Sequence, residues 1–331
     1  MHIVRLKMQL LELSFLLLPV LLSQASLASA QERPNTTTPC DFYTQKTIGN
    51  NTATNQQLLM TLVLHSALLG PYSEYNTVSV PDFIGALTPT MYDGQYVDLS
   101  VYFTGALKSS NTGTGQGEAV NWLDDGGLDA ARQSKPGNGN ITSSQYKFFT
   151  HVYSYFGTFL GCSHLGSPEL PTYKGRSSMY EVHKYQYLNE AEMGFFVQQA
   201  VLGLKSFGFS AADAQGVNAS LQSTFNLRCS QPAGAVPQTD LQLQAICTAP
   251  DCRLAPNNTC AAYESLRPAA VADQTLVGNF SKAADGTTSV NISASAIAPS
   301  PSSKPNAGVV VFLEYGTAVF SMLGTIVLSL L

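Results

Sequence analysis

The chain has 331 residues, a net charge of −5 and only 12% charged residues. No basic cluster exceeds a few residues, so the electrostatic footprint of a nucleic-acid binder is missing. No unit of 20 to 50 residues recurs, which argues against a solenoid.

Residues 1–30 place His2, Arg5 and Lys7 before an apolar run from Phe15 to Leu22, and Ala28 to Ala30 follow. This is the order of a cleavable secretory signal, with cleavage expected after Ala30. Residues 31–235 are expected to form one helical domain. Within it, Thr54 to Leu69 is apolar enough for a buried helix. Residues 70–144 read as a long glycine-rich insertion, with one or two short helices or a hairpin in Tyr92 to Tyr102 and Val120 to Leu128. Asp124 and Asp125 precede two glycines, as in a turn.

Gln145 to Gly161 carries Phe149, Val152, Phe156 and Phe159 at spacings of three and four, an amphipathic helix with an aromatic face. Asn189 and Glu192 form a capping pair ahead of a stripe from Met193 to Leu204, which stops at Gly208. Ser210 and Asp213 open a further helix with stripe Ala214, Val217, Leu221 and Phe225.

Residues 236–305 are expected to form a cysteine-containing segment and then a Ser/Thr/Pro-rich glycosylated stalk. The six cysteines (Cys40, Cys162, Cys229, Cys247, Cys252 and Cys260) suit three disulfides in an oxidising compartment. Cys162 and Cys229 each end a predicted helix and are the first pairing expected, with Cys247, Cys252 and Cys260 forming a small knot with Cys40. Zinc is the alternative for these thiols, but short Cys-x-x-Cys pairs are missing. Asn35, Asn50, Asn140, Asn218, Asn257, Asn279 and Asn291 each begin an N-glycosylation triplet. Residues 306–331 combine small residues, a spacer and an apolar tail, the pattern of a GPI-attachment signal with Asn306 as acceptor; an ordinary C-terminal transmembrane helix is the alternative, set back by Glu314 within the tail. A surface protein follows, on the outer face of the plasma membrane or in the cell wall, held to the membrane through a lipid anchor.

The phrase Tyr173, Gly175, Met179, Val182 and His183 resembles the proximal-histidine region of the truncated, two-over-two hemoglobins. The chain is similar to that family also in Phe42 and Tyr43 with Ile48 and Gly49, in Tyr102 to Gly105, in Phe156 with Leu160 to Cys162, in Leu188 to Met193, and in Gly208 to Ser210. The match is loose over 40–108 and good over 145–228. Cys162 stands where the family often has glycine, and Leu64 and His65 stand near its distal Phe-Tyr pair.

The resemblance implies an all-α, two-over-two globin-like domain with a long glycine-rich insertion, followed by the disulfide-containing tail. It implies heme b with iron on His183, beside Met179 and Val182 and facing a distal wall of Phe148, Val152 and Phe156. His65 and His151 are the candidates for a distal hydrogen-bond donor or sixth ligand, while Lys184, Arg176 and Lys147 are candidates for the propionates. The expected function is binding a diatomic gas, O₂ or NO, with peroxidase-like or NO dioxygenase turnover as a further option. Two rivals stand beside it: a heme-less surface interaction or adhesion module, and an extracellular redox or hydrolytic enzyme whose site lies in the insertion. Neither Gly-x-Ser-x-Gly nor His-Glu-x-x-His occurs.

Overall fold

The computed structural model describes residues 32–234 and 240–272, and the backbone of 280–282 and 288–290. The expected leader, most of the stalk, the anchor signal and Asn279, Asn291 and Asn306 lie outside the described residues.

Thr38 caps α1 (Pro39–Tyr43), which continues as a π turn over Thr44–Ile48. The second helix, α2 (Ala53–Leu69), is capped by Thr52 and buries Leu59, Met60, Leu62, Val63, Leu64, Ala67 and Leu68. Apolar residues on every side mark a helix enclosed by its neighbours. It packs against α4 (Ser144–Phe159) and α6 (Glu190–Ser206), and α6 packs in turn on α7 (Ala211–Phe225). Each of these three has a side-chain N-cap, from Ser143, Asn189 and Ser210, and Asn189 with Glu192 makes a reciprocal capping box.

The insertion is where the all-α expectation fails. It forms an antiparallel hairpin of β1 (Thr90–Tyr92) and β2 (Gln95–Val97), then a second of β3 (Thr104–Asn111) and β4 (Gly117–Asn121), before the short α3 (Gly127–Arg132). A further pair joins β5 (Phe280–Lys282) to β6 (Thr288–Val290). The body is therefore of mixed α/β content, with seven α-helices and 41% helix among the described residues, and the two-over-two all-α description does not hold. The physical reason for the first hairpin is local: Asp93 and Gly94 both have positive φ, the conformation of a two-residue hairpin turn.

Three buried polar side chains hold the insertion to the helices. Gln145 on α4 accepts from the Asp125 and Gly127 amides and donates to the Gly127 carbonyl. Gln199 on α6 accepts from the Ile84 and Gly85 amides and donates to the Asp82 carbonyl. Glu192 accepts from the Tyr102 hydroxyl at 2.8 Å. All three are fully buried. The chain also crosses itself closely at Gly85, where a Cβ would lie 2.2 Å from the Gly70 nitrogen, so only glycine serves there.

The segment expected as a separate cysteine-containing tail is part of the same body. Ile246 and Cys247 donate to the Phe225 carbonyl, and Ala255 donates to that of Arg228. Lys108 and Ala272 exchange bonds with Ala270 and Ala106, so the tail runs along β3. The disulfides are Cys40–Cys162, Cys229–Cys260 and Cys247–Cys252, which corrects both the expected Cys162–Cys229 pairing and the expected knot of Cys40 with Cys247, Cys252 and Cys260. Cys162 meets Cys40 because the end of α4 returns to α1, where the Cys40 amide donates to the Leu160 carbonyl. Of the described sequons, Asn35, Asn50, Asn140 and Asn257 are exposed and Asn218 is half-buried.

Replacing Gln199 with Ala strands the buried Gly85 amide, while that of the exposed Ile84 can turn to water, and is expected to cost about 1–3 kcal/mol. Urea unfolding of the variant measures this, and hydrogen exchange should quicken first over residues 82–87.

Candidate functional site

Ser178 caps the short α5 (Met179–His183), and a 3-10 turn over Lys184–Gln186 follows. The His183 Nδ1 lies 2.8 Å from the Met179 carbonyl, one helical turn back. A carbonyl only accepts, so Nδ1 carries the proton and Nε2 keeps its lone pair. Burial holds the imidazole below its usual pKa, and the bond to Met179 offsets this only in part. The ring is neutral at pH 7, with a free base nitrogen.

That ring lines a small pocket with Leu99, Tyr102, Phe103, Leu188, Met193 and Phe196. The cavity volume is about 80 Å³. Leu99 and Tyr102 come from the 3-10 turn Leu99–Tyr102, and Phe103 follows it at the root of β3. The insertion therefore supplies one wall of the pocket and α6 another.

The expected heme group is only partly assembled around His183. Met179 is buried and contributes its carbonyl, and Val182 is half-buried beside the ring. Phe148 stands edge-on to Phe103 at 5.5 Å, so it reaches the pocket through one intervening ring. Val152 and Phe156 do not line the pocket. Along α4 the residues buried toward the core are Phe149 and Tyr153, whereas Phe148, Val152, Phe156 and Phe159 remain half-buried. These four pack against the edge of the same core.

Neither distal candidate is placed to serve. His65 is fully buried, with Nδ1 against the Ala131 carbonyl and Nε2 against the Tyr153 hydroxyl. Both nitrogens are engaged, so it is a packing residue that ties α2 to α3 and α4. His151 is exposed on α4, edge-on to Tyr173 at 6.1 Å. Among the propionate candidates, Lys184 is buried and bonded to Glu264 at 2.7 Å and to Glu181. Burial alone would lower its pKa, but those two carboxylates outweigh it and the net shift is upward. Arg176 lies 3.9 Å from Glu181, and Lys147 is exposed.

With all six cysteines in disulfides, no thiolate remains as a metal ligand. Among the described residues, no group of three or more His, Cys, Asp or Glu side chains is arranged to hold a metal ion. The sequence reading missed the buried Tyr102–Glu192 pair beside the pocket, although the Asn189 and Glu192 cap was the available signal. The chain matches no protein-family model, no curated protein and no solved structure.

Burial lowers the His65 pKa from 6.5 to about 4, with the Ala131 bond opposing. The folded state prefers the neutral ring, so this contribution is complete above pH 6.5 and is lost as pH falls toward 4. The loss amounts to about 3 kcal/mol. Urea unfolding at both pH values should show a smaller decline for His65→Gln, and an identical decline would count against the assignment.

Proposed function

We propose that this chain is an exported heme-binding protein whose iron, held by His183, takes up a diatomic gas, O₂ or NO. The observation that carries the reading is the Nδ1–H bond to the Met179 carbonyl, which leaves Nε2 as a neutral donor beside an apolar pocket. A fixed tautomer with its other nitrogen tied to a carbonyl is what axial ligation of iron requires. The likeness of the Tyr173–His183 phrase to the truncated hemoglobins supports the same reading.

The donor chemistry fits the group, but the face expected to wall it does not, because Val152 and Phe156 lie outside the pocket and Phe148 touches it only through Phe103. The enclosed room is smaller than the group: about 80 Å³ here, against roughly 300–1,000 Å³ for ordinary ligand sites. A macrocycle can be admitted only if the residues lining the pocket move apart. Bound iron would supply reversible gas ligation. The protein holds the imidazole neutral and keeps the proximal side apolar. Because His65 has both nitrogens occupied and the Tyr102 hydroxyl is given to Glu192, a polar distal donor is missing from these positions, and binding is favoured over peroxidase-like or dioxygenase turnover.

The small cavity also favours a second reading, an interaction module without heme on the same scaffold. Hemin titration of the full secreted chain separates the two. The heme reading expects a saturable Soret band at one equivalent, lost in His183→Ala and kept in His65→Gln and His151→Ala. A chain that gives no band, or a His183→Ala variant with an unchanged one, would favour the module.

A further inference from the structure

A larger cavity, of about 300 Å³, is lined by residues of α5, of the segment after α7 and of the tail. It is lined by Tyr180, Tyr187, Arg228, Thr248, Tyr263 and Glu264, among others. The sequence places these residues far apart, and the tail brings them together. Arg228 is fixed just beyond α7 by backbone bonds to Arg253 and Ala255, and the next residue is disulfide-bonded to Cys260. The walls of the cavity are thus set by a covalent link and a short backbone ladder.

Two polar atoms of this lining have no hydrogen-bond partner among the described residues: the Arg228 Nε and the Thr248 Oγ1, both buried. Native proteins rarely leave buried donors unpaired, least of all on a permanently charged guanidinium. The other polar groups are committed elsewhere. The Glu264 carboxylate pairs with Lys184 at 2.7 Å, and its amide donates to the Tyr180 hydroxyl. The Tyr263 hydroxyl donates to the Ser230 carbonyl at 2.7 Å. What remains is one cationic fork and one hydroxyl beside an aromatic wall, where the Tyr180 and Tyr263 rings meet edge-to-face at 4.7 Å.

We propose that this cavity is a second binding site, for a small aromatic carboxylate. Its carboxylate would meet the Arg228 guanidinium and the Thr248 hydroxyl, and its ring would lie against the tyrosines. Guanidinium and carboxylate match in planar, two-point geometry. At about 30 Å³ for each water-sized occupant, the volume suits roughly ten non-hydrogen atoms, which is the size of a single substituted ring. The site is independent of the heme reading, since His183 lines a different pocket.

Benzoate is the probe, with benzamide as its neutral isostere and inorganic phosphate as an anion without a ring. Calorimetric titration of the full secreted chain should show benzoate saturating with a Kd of about 1 mM or tighter, while benzamide and phosphate bind roughly tenfold more weakly or not at all. Arg228→Gln should lose about tenfold in benzoate affinity and Thr248→Val a few-fold, while His183→Ala binds as the parent does. The benzamide comparison needs no variant, so it decides the matter even if Arg228→Gln fails to fold. Failure of benzoate to saturate, equal binding of benzamide, tighter binding of phosphate than of benzoate, or an unchanged Arg228→Gln affinity would each overturn the proposal.

Discussion

The hydrogen bond between the His183 ring and the Met179 carbonyl sets the chemistry of the whole site. It consumes the one nitrogen that could have donated outward, and it turns the ring into a neutral base with a single open lone pair. Burial reinforces this by disfavouring the cationic form. Without that carbonyl the imidazole would be free to rotate and to change tautomer. Ser178 matters for the same reason, because its cap starts the short helix that places Met179 one turn before His183. The segment is too short to be helical on its own merits, so it depends on what surrounds it. Tyr180 donates its amide to the Leu243 carbonyl, Ser178 bonds the same carbonyl, and Met179 donates to Gln244. The tail therefore orders the histidine.

The insertion plays the opposite part. Its 3-10 turn and the root of β3 deliver Leu99, Tyr102 and Phe103 to the pocket beside His183. Gln145, Gln199 and Glu192 anchor it, each buried and each bonded to a partner in the insertion. Buried polar groups satisfied in this way resist displacement, because removing one partner strands the other. Phe103 in turn rests edge-on against Phe148 of α4, so the pocket wall is backed by that helix.

Much of the helical framework was legible in the sequence, because caps and stripes are local. Asn189 with Glu192, Ser210 with Asp213 and the apolar run to Leu69 all mark helices that the chain adopts. The hairpins were legible only in part: Asp93 and Gly94 are a recognised turn pair, yet the surrounding Gly- and Asn-rich stretch masks them. The role of His65 was out of reach, since its partners Ala131 and Tyr153 stand 66 and 88 residues away. Disulfide pairing was hidden for the same reason, as Cys40 and Cys162 are separated by 122 positions. On α4 the period was right and the rotation was not. Phe149 and Tyr153 take the core, and the face expected to wall a pocket is one step round from them.

The most direct measurement is resonance Raman spectroscopy of the ferrous, hemin-loaded full chain, prepared with ordinary and with ¹⁵N-labelled histidine. The account predicts an iron–imidazole stretching band that shifts on labelling and is absent from His183→Ala. A band that survives that substitution, or a protein that never develops one, would contradict His183 as the iron ligand.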